Sequence, residues 1–209
     1  MNVVLYGSTG KAGSRILKEL ISRGHRVTAV SRDPAKLQGI AGIGTKTDDI
    51  SDVGKTVEVI RGADAVVSAY APPQDNSEEI VEVTQRLVEA AKRAGSPRLL
   101  VVGGAGGLHV APGVTLLDSG YLPDAYKPIA KAHVRTLNVL RASDIDWTYV
   151  APAAYFEPGE RTGKFRLGRD ELIANEKQES RISMEDYAIA LVNELEKPDH
   201  RKQRFSVGY

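Results

Sequence analysis

Residues 2–13, Asn-Val-Val-Leu-Tyr-Gly-Ser-Thr-Gly-Lys-Ala-Gly, leave this chain fewer choices of fold than any other stretch. The apolar run Val3–Tyr6 reads as a buried strand, and it breaks at Gly7. Glycine returns at Gly10 and Gly13 as a helix begins. That helix, over about residues 11–23, turns Ile16, Leu17, Leu20 and Ile21 to one side, with Gly24 placed to cap it. Strand, glycine turn and helix together form an anion site. N–H groups at a helix N-terminus point at the ligand, and residues without a Cβ let a pyrophosphate reach the backbone. Gly7, Ser8, Thr9, Gly10, Lys11, Ala12 and Gly13 are the candidate cradle. The spacing is G-x-x-G-x-x-G rather than the usual G-x-G-x-x-G. Glycines at such a turn can serve packing alone, so the rest of the chain must decide.

A chain of 209 residues, 42% hydrophobic and 26% charged, suffices for one domain with a proper core. Its formal net charge of +1 gives no reason to expect nucleic acid or an anionic membrane as partner. The absence of cysteine excludes disulfides, thiolate metal sites and cysteine catalysis, and no metal centre is expected. The chain enters its first strand directly, and no apolar run approaches the ~18 residues of a membrane span. The expected location is cytoplasmic.

The second strand spans about residues 26–30 and ends in Ser31-Arg32-Asp33-Pro34, where Pro34 can open a short helix through Leu37. Residues 43–47 read as a weak third strand, 52–61 as a helix and 65–69 as a buried fourth strand. Asn76 or Ser77 can cap the next helix, which Gly95 and Pro97 end. Residues 99–102 form a fifth strand leading into Gly103-Gly104-Ala105-Gly106-Gly107. Residues 108–126 show no period and read as a long surface segment. A helix runs from Pro128 to about Ala142, with Ile129, His133, Leu137 and Leu140 on one face, and 147–151 is the sixth strand. Beyond it, residues 163–167 and 179–182 suggest short strands. Ser183-Met-Glu-Asp186 has a capping-box pattern, and 204–207 is a final strand. This alternation predicts a Rossmann-like, doubly wound parallel α/β sheet in a single domain. Residues 1–151 are its dinucleotide-binding core, and 152–209 a small α+β extension on the substrate side. Ligands of such sheets lie beyond the carboxyl ends of the strands, so residues 7–13, 31–36, 48–50, 69–73, 103–107 and 151–156 should converge.

Among these, Arg32 is the most informative. NAD-binding folds usually place an acid at the end of the second strand for the ribose 2′-hydroxyl. Here Ser31 and Arg32 stand there, with Lys36 a helical turn on, a cationic pair suited to a 2′-phosphate. NADP(H) is therefore expected in preference to NAD(H), unless both cations are merely solvated surface charges. Asp49 could accept from the adenine amino group while Ile50 covers the ring, or it could cap the following helix. Ala69, Tyr70, Ala71 and Gly103 complete the cofactor edge.

The segments Tyr-Gly-Ser-Thr-Gly-Lys-Ala-Gly, Ser-Arg-Asp-Pro-Ala-Lys-Leu, Asp-Asp-Ile and Gly-Ala-Asp-Ala-Val-Val resemble the atypical short-chain dehydrogenase/reductase superfamily. Within it the chain is most similar to the NAD(P)H-binding group that contains inferred NAD(P)H-flavin reductases and biliverdin reductase B. Lys131-Ala-His133, Gly163-Lys-Phe, Arg181-Ile-Ser-Met-Glu-Asp186 and Arg204-Phe-Ser-Val-Gly-Tyr209 match the same group. Typical superfamily members use a Ser after the fifth strand and a Tyr-x-x-x-Lys pair on the next helix. Here Gly103 or Gly104 holds the Ser position. Tyr126 and Lys131 lie five apart, about 140° around a helix. Lys131 could contact the nicotinamide ribose or be a solvated lysine. His133 could be a core histidine, though the resemblance places it near the acceptor pocket. Tyr155 and Phe156 could flank a planar acceptor or pack in the core. Lys131, His133 and Tyr155 are thus the catalytic candidates. The resemblance implies an oxidoreductase, monomeric or a small homo-oligomer, passing hydride from NADPH to a planar small molecule such as a flavin or quinone. A non-enzymatic dinucleotide sensor and a sugar-nucleotide epimerase or dehydratase are the alternatives.

Overall fold

The computed structural model describes residues 1–209. The chain runs β1 (Asn2–Tyr6), α1 (Lys11–Ser22), β2 (Arg26–Ser31), β3 (Ile43–Thr47), α2 (Val53–Ile60), β4 (Ala65–Ser68), α3 (Glu79–Arg93) and β5 (Arg98–Val102). It continues through β6 (His109–Ala111), β7 (Val114–Thr115), α4 (Lys127–Arg141), β8 (Trp147–Pro152), β9 (Tyr155–Glu157) and β10 (Arg166–Gly168). The last elements are β11 (Arg181–Ser183), α5 (Met184–Glu196) and β12 (Gln203–Gly208). Short 3-10 turns cover Pro34–Leu37 and Asp124–Tyr126.

Eight strands make one sheet in the order β3-β2-β1-β4-β5-β8-β12-β10. All pair in parallel except β10, which is antiparallel to β12. Strand order reverses between β1 and β4, which is the doubly wound, Rossmann-like arrangement. A parallel sheet must be covered on both faces, and strands such as β4 and β8 are accordingly buried along their length. One face packs Ile16, Leu17 and Leu20 of α1 against Tyr187, Leu191 and Leu195 of α5. The other gathers Val57 and Ile60 of α2, Leu87 of α3, and Leu137 and Leu140 of α4.

Local signals set the end of α1 and the start of α5. Gly24, at φ +76°, closes α1: its N–H donates to Ile21 O at 3.0 Å, and that of His25 to Leu20 O at 3.1 Å. Ser183 caps α5 by accepting from the Asp186 N–H at 3.0 Å. The box is only half formed, because the Asp186 carboxylate turns to Gly163, Thr162 and Tyr209 instead.

Three expectations need correction. Neither Asn76 nor Ser77 caps α3, which begins behind Glu78 with no side-chain cap, because turns in the preceding loop displace the helix start. Asp49 does not cap α2; Asp52 does, accepting from Lys55 N at 3.1 Å. Residues 108–126 hold the β6–β7 hairpin, pinned by buried Leu108 and Leu116. Strands of three and two residues are too short to show a period.

Candidate functional site

At the carboxyl end of β1 the three glycines do different work. A Cβ on Gly7 would lie 2.3 Å from the Ala69 carbonyl oxygen, and one on Gly13 would lie 2.0 Å from that of Gly7. Both are required for the turn, α1 and the end of β4 to close together. Gly10 is different: its φ is −74°, and its Cβ would meet nothing nearer than Gly7 O at 3.2 Å. That is the one close contact a side chain there would make, and the space beyond it is open.

The helix N-terminus beside it is bare. Gly10 offers no capping side chain, the first turn of α1 holds no acid, and the N–H groups of Lys11, Ala12 and Gly13 make no hydrogen bond. By contrast α5 opens with Ser183, Glu185 and Asp186. Three unpartnered donors, the adjacent Lys11 ammonium and the positive end of α1 fit an anionic pyrophosphate. Ser8 contributes backbone only, since its hydroxyl donates to Val30 O at 3.0 Å and is buried. Thr9 is exposed.

Beyond β2, the Ser31 hydroxyl is engaged with the Asp33 backbone, while Arg32 and Lys36 are exposed. Lys36 lines a groove of about 490 Å³ with Ser8, Thr9 and Ser14, which joins it to the glycine turn. The Arg32 charge also reaches Tyr70, where it works to lower the phenol. Burial, and then the Glu79 carboxylate, push that phenol well above its usual range, so Tyr70 stays protonated. Ala69 is buried and Ala71 exposed.

After β3, Asp49 is exposed and accepts from Ser51 N–H at 3.0 Å; its hydrogen bonds to the Ser51 hydroxyl and N–H hold it below the usual carboxylate range. The Ile50 side chain is 2% exposed and belongs to the core, so it cannot cover an adenine ring as expected. It sits at φ +63°, a left-handed conformation costly for a β-branched residue. Buried Asp48 holds it there, accepting from Ile50 N–H at 3.2 Å, Tyr6 OH at 2.8 Å and Thr56 Oγ1 at 3.0 Å.

On the acceptor side, the serine position is physically filled. A Cβ on Gly103 would sit 2.2 Å from the Tyr149 ring, and one on Gly104 would lie 2.8 Å from the His133 ring. The Tyr149 hydroxyl accepts from Gly104 N–H at 2.9 Å and lies 3.3 Å from His133 Nδ1. Burial raises the Tyr149 phenol and pulls the His133 imidazole down to about 4, so both are neutral at pH 7. Tyr149 has no counterpart among the sequence-derived candidates, because only the pairing of β8 with β5 brings it beside Gly103 and Gly104. Tyr126 and Lys131 are both exposed, with no hydrogen bond between them, while Lys127 pairs with Asp124 at 2.6 Å. Tyr155 is 58% exposed, with the Arg181 guanidinium 5.4 Å from its ring centre. Phe156 packs on Tyr187 at 4.6 Å and is core, not acceptor wall, because β9 turns alternate residues to opposite sides.

Sheet order, glycine turn and bare helix end meet at the β1/β4 reversal, and this combination defines a dinucleotide-binding protein of the Rossmann-like class. The chain belongs to the NAD(P)H-binding family, whose model matches residues 7–198. It is 41% identical to the uncharacterised protein YwnB of Bacillus subtilis, over 99% of this chain and 98% of that one. A solved structure from Burkholderia pseudomallei, inferred to be an exported protein, is 44% identical with a TM-score of 0.92 and covers 100% of both chains. An inferred epimerase from Bacteroides thetaiotaomicron is 43% identical, TM-score 0.93, over 100% of this chain and 96% of that one. An inferred NADH-flavin reductase from Streptococcus pneumoniae is 36% identical, TM-score 0.90, over 100% and 99%. Family and neighbours agree with the atypical short-chain dehydrogenase/reductase resemblance, and the fold is that of an NAD(P)H-binding oxidoreductase.

Proposed function

We propose that this protein is an NADPH-dependent oxidoreductase that passes hydride to a planar acceptor such as a flavin or quinone. The observation that carries the reading is the filled serine position. Tyr149 and His133 occupy the space a Ser at 103 or 104 would need, and Tyr126 is out of register with Lys131. Carbonyl reduction and sugar epimerisation both need a placed acid or base, whereas hydride transfer to a flavin needs mainly orientation and exclusion of water. Reduced nicotinamide, when bound, supplies the hydride from its C4 carbon. The bare N–H groups of Lys11, Ala12 and Gly13 would hold the pyrophosphate, and Lys131 would contact the nicotinamide ribose. Arg32 and Lys36 favour the 2′-phosphate in place of the usual acid. Tyr155 offers an open aromatic face to the acceptor. Neutral His133 shapes the pocket, and the proton for the reduced acceptor comes from solvent.

The relative named as an NADH-flavin reductase supports the reaction class. The relative named as an epimerase, at higher identity, makes the tyrosine the deciding residue. Steady-state NADPH oxidation with riboflavin, FMN, FAD and quinones tests the reading, with turnover by at least one expected. Tyr126→Phe should change kcat by less than about fivefold, or roughly 1 kcal/mol. A hundredfold loss with binding intact would restore the tyrosine base and an epimerising or carbonyl-reducing enzyme. Tight dinucleotide binding without turnover across the panel would make the protein a sensor. The reading carries a cytoplasmic location with it, and cell fractionation checks that against the inferred exported relative.

A further inference from the structure

Residues 158–165 follow β9 without regular structure, yet their polar groups are fastened inward one after another. Gly159 N–H donates to Glu185 Oε2 at 2.7 Å, and Ser183 Oγ donates to Glu160 O at 2.7 Å. Arg161 forks onto Glu19 at 3.0 and 3.1 Å, a carboxylate that Arg23 also holds at 2.9 Å. Gly163 N–H donates to Asp186 Oδ1 at 2.8 Å, and the Thr162 hydroxyl donates to the other oxygen. The segment is a strap across α1 and the start of α5. Its upstream end is β9, which presents Tyr155.

One of these contacts reaches the first turn of α1. Glu185 accepts from Gly159 with one oxygen and from Arg15 Nε, at 2.9 Å, with the other. Burial works to raise Glu185, but these donors together hold it below the usual range, so the bridge is ionised at neutral pH. Arg15 Nη1 also donates to the Lys11 carbonyl at 3.1 Å, in the turn of α1 that no side chain caps. An uncapped first turn is the part of a helix that opens most readily, and an anion at its N–H groups closes it.

We propose that dinucleotide at the glycine turn stiffens the first turn of α1 and, through Arg15–Glu185, tightens the strap, which Arg161–Glu19 anchors and which sets β9 for the acceptor. Arg161 and Glu185 are positioning residues. The dinucleotide half of this proposal requires only NAD(P)H binding; the acceptor half rests on the hydride-transfer reading.

Amide hydrogen exchange on the full chain, with and without saturating NADPH, tests the first half, because Gly159 and Gly163 N–H groups are strap donors. NADPH should slow their exchange at least about fivefold, in the range of ordinary coupling energies. In Arg161→Ala and in Glu185→Gln that slowing should vanish, while NADPH affinity falls less than about threefold. Unchanged exchange in the wild type on NADPH saturation overturns the coupling, whatever turnover shows. For the second half, Arg161→Ala should raise the flavin KM about tenfold with kcat within threefold, and Arg161→Lys should recover part of it. An unchanged KM beside intact turnover overturns the strap's role at the acceptor. Turnover absent from the wild type counts against the hydride-transfer reading alone, and the exchange result still decides the coupling.

Discussion

Gly10 and Gly13 are three residues apart in one motif and should fail in opposite ways. A Cβ at 13 falls 2.0 Å from a backbone oxygen that cannot move without opening the turn, so Gly13→Ala should cost at least about 1–3 kcal/mol of stability. A side chain at 10 meets Gly7 O at 3.2 Å and otherwise enters the open space proposed for the pyrophosphate. Gly10→Val should therefore keep its far-UV spectrum and lose dinucleotide binding by calorimetry; wild-type affinity in that variant would remove the phosphate site from the glycine turn. Arg32 and Lys36 belong to the same scale. Arg32→Ala should weaken NADPH about tenfold, near 1.4 kcal/mol, and leave NADH within about twofold. An equal loss for both dinucleotides would mean that Arg32 does not read the 2′-phosphate.

Between elements, the α1–α5 packing carries a set of carboxylates whose ionisation is linked to folding. Glu19, Glu185 and Glu196 are each pushed upward by burial, and each is pulled further down by arginine, histidine or backbone partners. A group depressed in the folded state stabilises fully above its unfolded value, about 4.3 for Glu, and loses that contribution as pH falls through the folded value. Stability should hold from pH 7 down to about pH 5 and decline below it. In urea titrations at pH 6 and pH 3.5, Glu19→Gln with Glu196→Gln should begin lower and drop less than the wild type. Parallel drops would show that these pairs contribute nothing to acid sensitivity.

Across the whole molecule, one buried ion pair lies away from the ligand edge. Arg98, which begins β5, donates to the Glu194 carboxylate, to Glu194 O at 2.7 Å and to Thr148 Oγ1 at 2.7 Å. His200 closes on the same carboxylate at 2.7 Å. These groups tie α5 and the approach to β12 onto the amino ends of β5 and β8, opposite the edge where the glycine turn lies. Removing one partner of a buried pair strands the other charge. Glu194→Gln should thus cost about 3–5 kcal/mol in urea unfolding and leave NADPH affinity of the folded fraction within about twofold. A large loss of affinity would show that the two ends of the sheet are energetically joined.

What could be read in the sequence was local in origin. Apolar runs bounded by glycine or proline marked β1, β4, β5 and β8, since a strand buried on both faces needs no partner to be recognised. The Gly24 cap and the Ser183 cap were legible because each is made within a few residues of chain. The glycine turn and the cationic end of β2 were legible for the same reason. Tertiary structure alone decided the rest. Whether Gly7 and Gly13 serve packing while Gly10 serves a ligand depends on how close Ala69 and Gly7 carbonyls come, and no spacing reveals that. Tyr149 fills the serine position from a strand almost fifty residues downstream, and Asp48 pins Ile50 with hydroxyls from β1 and α2. The strap at 158–165 shows no period because its order comes from carboxylates on α1 and α5 rather than from its own backbone. Contacts between distant segments carry no local signature, so the chain's own order specified the scaffold, and only folding brought together the groups that define the site.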